Sequence, residues 1–446
     1  MIMKWSEKSK MKKILSIILA LCLVFAVAAC ASETPATTTP AAPAPADPAP
    51  ADPAPADPAP EDPTPEDPPE NFNENWKIAI VTNTMDQNEE EFRSAQATVL
   101  KYGEDRVIHR VWPTLFTQEP ELMISILGNI AADQDVKAIV INQAVINTNA
   151  AIDRVRQLRG DDVFIVVCSP AENVEDVAVR ADLILQPNDP LNGVRIAEQA
   201  KAMGAETIGH YSFERHLAAP TIALRREIMM DKAAELGMNF VDLVAPDPTV
   251  DGTPATQMHI MQDVPRQVAE LGENTAFFGT NCAMQAPMQI QVVETGAIYP
   301  IPCCPSPYHR FPETFNIDWL VGTGVFAENP ETGEDEEILD WLDLPTLVEE
   351  IKKAVAEKGA TGKLATWPMP ASFMWTTIGA EYSIEWILGN APQDVGVIDL
   401  DLLNRLAENY TEDLYGERIG VGLSPFEFQG NTYNHWIMGI MDFLVF

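Results

Sequence analysis

The sequence predicts an α/β protein of two doubly wound parallel-sheet lobes joined by a hinge, and three observations carry that expectation. Strand-length runs that are apolar throughout alternate with amphipathic helical segments from Trp76 onward; the alternation restarts after Pro190; and the chain ahead of Trp76 has a different composition altogether. Strands with no polar face are buried on both sides, as in parallel sheets covered by crossover helices. At 446 residues, 46% hydrophobic and 8% aromatic, the chain has length for two or three domains and enough apolar side chains to core them.

In the first lobe, residues 77–82 (KIAIVT) form a buried strand, followed by a helix over 88–102 with Phe92, Ala95, Val99 and Tyr102 at helical spacing. Residues 107–112, 137–142, 163–169 and 182–186 supply further strands, with helices over 120–132 and 150–158. In the second lobe, strands over 206–213, 239–245, 275–281 and 297–303 alternate with helices over 191–203, 219–236, 255–271 and 283–295, and Pro265 is expected to kink the third of these. Beyond residue 304 the pattern weakens. Residues 345–358, 375–388 and 400–410 have helical spacing, and 435–446 is apolar enough for a buried strand or helix. The expected organisation is a leader over 1–30, a disordered stalk over 31–74, lobe one over 75–189, lobe two over 190–306, and a C-terminal extension over 307–446 that partly returns to lobe one.

Residues 11–30 hold Lys12 and Lys13, an apolar stretch from Ile14, and small residues before a cysteine, the order of regions in a secretory signal. Val27-Ala28-Ala29-Cys30 resembles the lipobox of bacterial lipoproteins, which implies a diacylglycerol on Cys30, palmitate-type acylation, and a membrane anchor on the extracytoplasmic face. The alternative, an uncleaved spanning anchor, is disfavoured because the apolar run is short for one. Met11 is an equally good start, since the lysines upstream add nothing a signal needs. From Ala31 to Pro69 the chain is Ala, Pro, Thr and acidic residues, with an Ala-Pro-Ala-Asp-Pro unit recurring. Some forty such residues in polyproline conformation reach on the order of 120 Å, a semi-rigid spacer. Acidic residues outnumber basic ones 66 to 29, a formal charge of -37, which repels phosphate backbones and excludes nucleic acid as a partner.

Residues 187–193 (PNDPLNG), followed by Ala197, Ala200 and Met203-Gly204, resemble the lobe crossover of type I periplasmic binding proteins and lactose-repressor-type cores. Arg225-Arg226, with the helix ending at Gly237, is similar to that family's arginine-bearing helix. The resemblance spans about residues 77–305; the signal, stalk and extended C-terminal part also resemble a bacterial lipoprotein family known only as a domain of unknown function. It implies a fold and a binding mode with no particular ligand; in the leading reading the partners are a small molecule and an ABC-type permease, and no enzymatic activity is expected. The 140 or so residues after Cys304 exceed the usual return to lobe one.

In open parallel sheets ligands sit at the carboxyl ends of the strands. Those ends offer Asn83, Thr84, Asn142, Gln143 and Ser169 in lobe one and Tyr211, Ser212, Asn281 and Cys282 in lobe two as ligand-binding candidates, with Asp86, Trp112, Cys168, Asp247 and residues 214–216 as weaker ones. Asn also favours strand ends because it tolerates turn geometry. Cys168, Cys282, Cys303 and Cys304 all fall at strand ends. They are expected to be small buried residues; Cys282 with Cys303 or Cys304 in a disulfide, and a soft-metal site with His309, are the alternatives. No metal or cofactor is otherwise assigned. Catalytic signatures are missing: no Gly-x-Ser-x-Gly, no phosphate loop, no His-Glu-x-x-His and no Cys-x-x-Cys. The Gly322-Thr323-Gly324 and Gly420-Val421-Gly422 runs are too slight for nucleotide sites, Glu334 to Glu337 is a solvated run, and residues 367–375 (WPMPASFMW) are expected to be core. A solute receptor is the leading expectation. A sensory lipoprotein signalling to a membrane kinase, an extracellular enzyme using His210, His216 or Cys304, and a cytoplasmic repressor follow, the last opposed by the leader and by the absence of a DNA-binding module ahead of Trp76.

Overall fold

A computed structural model describes residues 75–85, 87–317 and 344–446. The leader with Cys30, the stalk, Asp86, the Gly322–Gly324 run and Glu334 to Glu337 lie outside the described residues.

Five strands of the first sheet are parallel and arrive in the predicted order: β1 (Lys77–Thr82), β2 (Val107–Val111), β3 (Val136–Asn142), β4 (Phe164–Cys168) and β5 (Leu183–Pro187). Between them run α1 (Glu89–Tyr102), α2 (Pro120–Ala132), α3 (Thr148–Arg159) and the short α4 (Val174–Ala178). Strand alternation sorts the side chains into two cores. Ile78, Ile80, Val140, Val166 and Leu185 face one way; Ala79, Val81, Ile139, Ile165 and Val167 face the other, onto Met123 and Leu127 of α2 and Ile152 and Val155 of α3.

The second sheet is smaller. β6 (Thr207–Ser212) lies between β7 (Asn239–Val244) and β8 (Thr275–Gly279), all parallel. It is wrapped by α5 (Asp189–Ala202), α6 (Glu214–Leu217), α7 (Pro220–Glu235), α8 (Thr253–Leu271) and α9 (Gln285–Thr295). Helices α5 and α7 touch closely: a Cβ on Gly193 would stand 2.6 Å from the Arg225 carbonyl oxygen. Pro265 lies inside α8, which continues through it to Leu271. The strand expected over 297–303 is reduced to single parallel bridges, Ala276 with Ile298 and Tyr299 with Leu364. Pro300 and Pro302 have no N–H to extend a ladder.

The C-terminal part extends the first sheet and adds a separate two-stranded sheet beside the second. After α10 (Phe311–Phe315) and α11 (Leu344–Glu357), β9 (Ala365–Thr366) pairs with the final β12 (Leu444–Val445) next to the second sheet. In between, α12 (Ala371–Ile387) lies on the first sheet with α13 (Leu400–Tyr415) against it, β11 (Asn431–Ile440) extends that sheet parallel to β5, and β10 (Gly422–Phe428) closes its edge antiparallel. Gly379 lets α12 approach closely, since a Cβ there would meet Val166 at 3.1 Å. The Gly420–Gly422 run is thus the entry to an edge strand. The chain passes between the sheets after β5, after β9 and after β11, and Asn188 N donates to the Gly439 carbonyl (2.7 Å), tying two of the passages together.

Candidate functional site

The carboxyl ends of both sheets open on one cavity of about 440 Å³, within the size range of small-molecule sites. From the first sheet, Asn83 and Thr84 follow β1, Gln143 follows β3, Ser169 follows β4 and Gln186 stands near the end of β5; Glu91 of α1 and Trp375 of α12 complete that wall. The opposite wall carries Arg215 and His216 of α6, Arg225 of α7, Thr280 and Asn281 after β8, and Cys282, Cys303 and Cys304.

The charges on these walls cancel. Arg215 holds Asp247 through two hydrogen bonds of 2.8 and 2.9 Å, and buried Arg225 donates to buried Asp189 at 2.5 Å. Glu91 accepts from Asn83 Nδ2 (3.1 Å) and Asn88 Nδ2 (2.7 Å), and burial pushes its carboxyl up to about 8, so it is protonated at neutral pH. His216 is neutral, its imidazole pulled down to about 3 chiefly by burial. Several lining groups have no partner among the described residues. Asn83 Oδ1, both amide atoms of Gln186, Arg225 Nε and Trp375 Nε1 are buried without a hydrogen bond. Buried polar atoms are ordinarily paired, because leaving one bare costs roughly 1–3 kcal/mol. Their convergence on one cavity leaves several hydrogen-bonding positions open in one place.

Six of the nine ligand-binding candidates from the sequence line this cavity: Asn83, Thr84, Gln143, Ser169, Asn281 and Cys282. Three do not, and each is corrected by strand geometry. Asn142 is the last residue of β3, and its amide is turned under α12, donating to Ser372 O and Thr376 Oγ1, both at 2.8 Å. Tyr211 points out of the second sheet toward α8, where its hydroxyl donates to Asp263 at 2.8 Å. Ser212 is buried with its hydroxyl 2.9 Å from that of Thr280. Among the weaker candidates, Trp112 is buried with Nε1 donating to Gln143 O at 3.2 Å, and Cys168 is buried beneath Trp375. Sequence reasoning missed Glu91, Gln186 and Trp375 as site residues. Trp367 and Trp375 are both buried in the core as expected, and Trp375 also borders the cavity. His210, one of the nucleophile-or-base candidates, is stacked near Phe240 and Phe278 inside the second sheet's core, away from the cavity wall.

Cys282, Cys303 and Cys304 come together as free thiols, with Sγ separations of 3.6, 3.7 and 3.9 Å. Hydrogen bonding to a neighbouring thiol, then burial, pushes Cys282 and Cys304 well above the usual thiol range; burial does so for Cys303.

Two α/β sheets presenting their carboxyl ends to a shared cleft, joined by three chain passages, define the type I periplasmic binding protein fold. Over residues 76–365 the chain matches the family described as protein of unknown function DUF3798, and it belongs to that family. Two uncharacterised proteins of Treponema pallidum (strain Nichols) are similar: one is 30% identical over 171 residues, 38% of this chain and 78% of its own length, the other 28% identical over 181 residues, 39% and 81%. Among solved structures, a proposed transcriptional regulator from Clostridium difficile 630 superposes with a TM-score of 0.62 at 20% identity, covering 83% of this chain and 99% of that one. An ABC transporter solute-binding protein from Agrobacterium vitis with bound D-fucose gives 0.47 at 11% identity, covering 76% and 99%.

Proposed function

We propose that this protein is an extracytoplasmic receptor, anchored by lipid on Cys30, that closes its two lobes on a small uncharged polar solute and hands it to an ABC-type membrane permease. The observation that carries the reading is the set of unpartnered buried polar atoms on Asn83, Gln186, Arg225 and Trp375 around one cavity. Its three cations, Arg215, Arg225 and Arg310, are already paired with Asp247, Asp189 and Glu313, and Glu91 holds its proton, so a hydroxyl- or amide-bearing neutral ligand fits better than an ion. Trp375 Nε1 offers one further donor beside the cavity. Two lobes contributing to one set of hydrogen bonds give closure a driving force, because the open state makes only half of them. The protein is non-catalytic in this reading. The anchor is supported by the Val27-Ala28-Ala29-Cys30 lipobox and the proline-rich spacer behind it.

Thermal unfolding of the purified protein against neutral sugars, polyols and nucleosides, with charged amino acids and polyamines in parallel, tests the ligand class. A neutral ligand at a hundred times its Kd adds about 2.7 kcal/mol of stability. Stabilisation by charged compounds alone contradicts the reading. Incorporation of a labelled fatty acid, abolished by Cys30→Ser, tests the anchor.

A further inference from the structure

In the wall of the solute cleft, and whichever solute that cleft takes, we infer that Cys282, Cys303, Cys304 and His309 form a binding site for a soft d10 divalent cation of the zinc class. The three sulfurs lie 3.6, 3.7 and 3.9 Å apart. Thiolates at zinc's bond length of about 2.3 Å, arranged tetrahedrally, stand about 3.8 Å from one another, so the sulfurs already mark one face of that tetrahedron. His309 Nε2 lies 3.8 Å from Cys303 Sγ, and the donor atoms of Cys282, Cys303 and His309 are all within 4.8 Å of each other. Soft sulfur ligands with one imidazole select zinc over magnesium or calcium.

A second observation points the same way. Glu90 is buried, neither of its carboxylate oxygens has a hydrogen bond among the described residues, and Oε1 stands 3.6 Å from His309 Nδ1. A carboxylate behind the far nitrogen of a histidine fixes the tautomer that leaves Nε2 free to coordinate, the arrangement found behind zinc-bound histidines. It also gives an otherwise bare buried carboxylate a partner.

The backbone holds the donors in place. Asn281 caps the turn that begins with Cys282 by accepting from Ala283 N at 2.9 Å. Cys303 and Cys304 sit between Pro302 and Pro305, in a loop pinned where Ser306 N donates to Thr366 Oγ1 (2.7 Å) and Ala371 N to Pro305 O (2.9 Å). His309 is fixed by Gln289 Nε2 donating to its carbonyl at 3.1 Å. Cys168, the remaining described cysteine, is bonded to Trp375 O instead and stands outside the cluster. Three thiols converging with a carboxylate-backed imidazole are better explained by a cation than by three independent packing positions.

The test uses the full-length protein, reduced, stripped with chelator and kept free of oxygen, titrated with cobalt(II) and then zinc(II). One equivalent of cobalt is expected to give a sulfur-to-cobalt charge-transfer band with the intense visible bands of a tetrahedral site, bleached by one equivalent of zinc. Cys303→Ser and His309→Ala lose the charge-transfer intensity or stoichiometric binding, while Cys168→Ser and Cys30→Ser keep both. Glu90→Gln, which removes no ligand, weakens zinc binding by about 10–100-fold while the metal-free protein keeps its circular dichroism. The inference is overturned by stoichiometric cobalt binding with a charge-transfer band of undiminished intensity in Cys303→Ser. It is equally overturned by no band while the three thiols are free, by a thiol count two short that reveals a disulfide, or by one of the three alkylating far faster than the others without binding metal, the mark of a nucleophile. Solute binding is read separately by thermal shift in metal-free protein, so failure of one proposal leaves the other standing.

Discussion

The two walls of the cleft are built on different principles. The second sheet's wall is largely satisfied from within: Arg215 is spent on Asp247, Arg225 on Asp189, and the Ser212 and Thr280 hydroxyls on each other. The first sheet's wall leaves groups open, with Gln186 wholly unpaired and Asn83 and Trp375 each keeping one bare polar atom. In the proposed reading, one lobe mainly holds shape and charge balance, while the other mainly reads the ligand. Substitutions on the two walls should therefore separate stability from affinity.

The largest effect is expected at Arg225. Arg225→Ala strands the buried Asp189 carboxylate and should cost about 3–5 kcal/mol in denaturant unfolding; a loss under about 1 kcal/mol would remove the shape-holding role from that wall. Next comes Glu91. In the folded protein it keeps its proton to about pH 8, whereas in the unfolded chain it ionises near 4.3. The folded state thus binds more protons between those values. Stability is greatest below the unfolded pKa, declines by a few kcal/mol as pH rises to about 8, and levels off beyond. Glu91→Gln should flatten that part of a pH–stability profile; an unchanged slope contradicts the protonated carboxyl.

Gln186 should behave in the opposite sense to Arg225. Replacing a buried amide that has no partner by a leucine of similar volume raises the stability of the ligand-free protein by about 1–3 kcal/mol while abolishing the ligand-induced shift. A destabilised Gln186→Leu would show that the amide has a structural partner. The smallest effect belongs to Tyr211→Phe, which gives up one hydrogen bond to Asp263, a carboxylate still held by Arg266 and Gln267, and should cost about 1 kcal/mol with ligand binding untouched.

Legibility followed burial. The runs at β1, β3 and β4 are apolar throughout because both of their faces are covered, and such runs need no partner to be recognised. Strand β10 was invisible because its sequence, with Gly422, Ser424 and Pro425, is that of an exposed edge carrying a register shift. Helix α12 is buried on nearly every side, so its ends had no amphipathic period to mark them. In the site, Asn83, Gln143 and Ser169 were legible because they follow the last residue of a strand, where the chain must turn into the cleft. Asn142 and Tyr211 failed because a residue still inside the ladder points above or below the sheet, and its parity depends on which face the helices take. Gln186 lies in a strand and Trp375 in a helix, where composition gives no sign of a ligand. For Arg225 the one signal was the resemblance of residues 225–237 to an arginine-bearing helix.

The central claim is that a neutral solute binds between these walls. Calorimetric titration of the best stabilising compound into wild type, Gln186→Leu and Tyr211→Phe tests it most directly. Binding at one site, weakened at least about tenfold by Gln186→Leu and unchanged in Tyr211→Phe, is the predicted result. Undiminished binding in Gln186→Leu, or loss only in Tyr211→Phe, would place the ligand elsewhere and contradict the account.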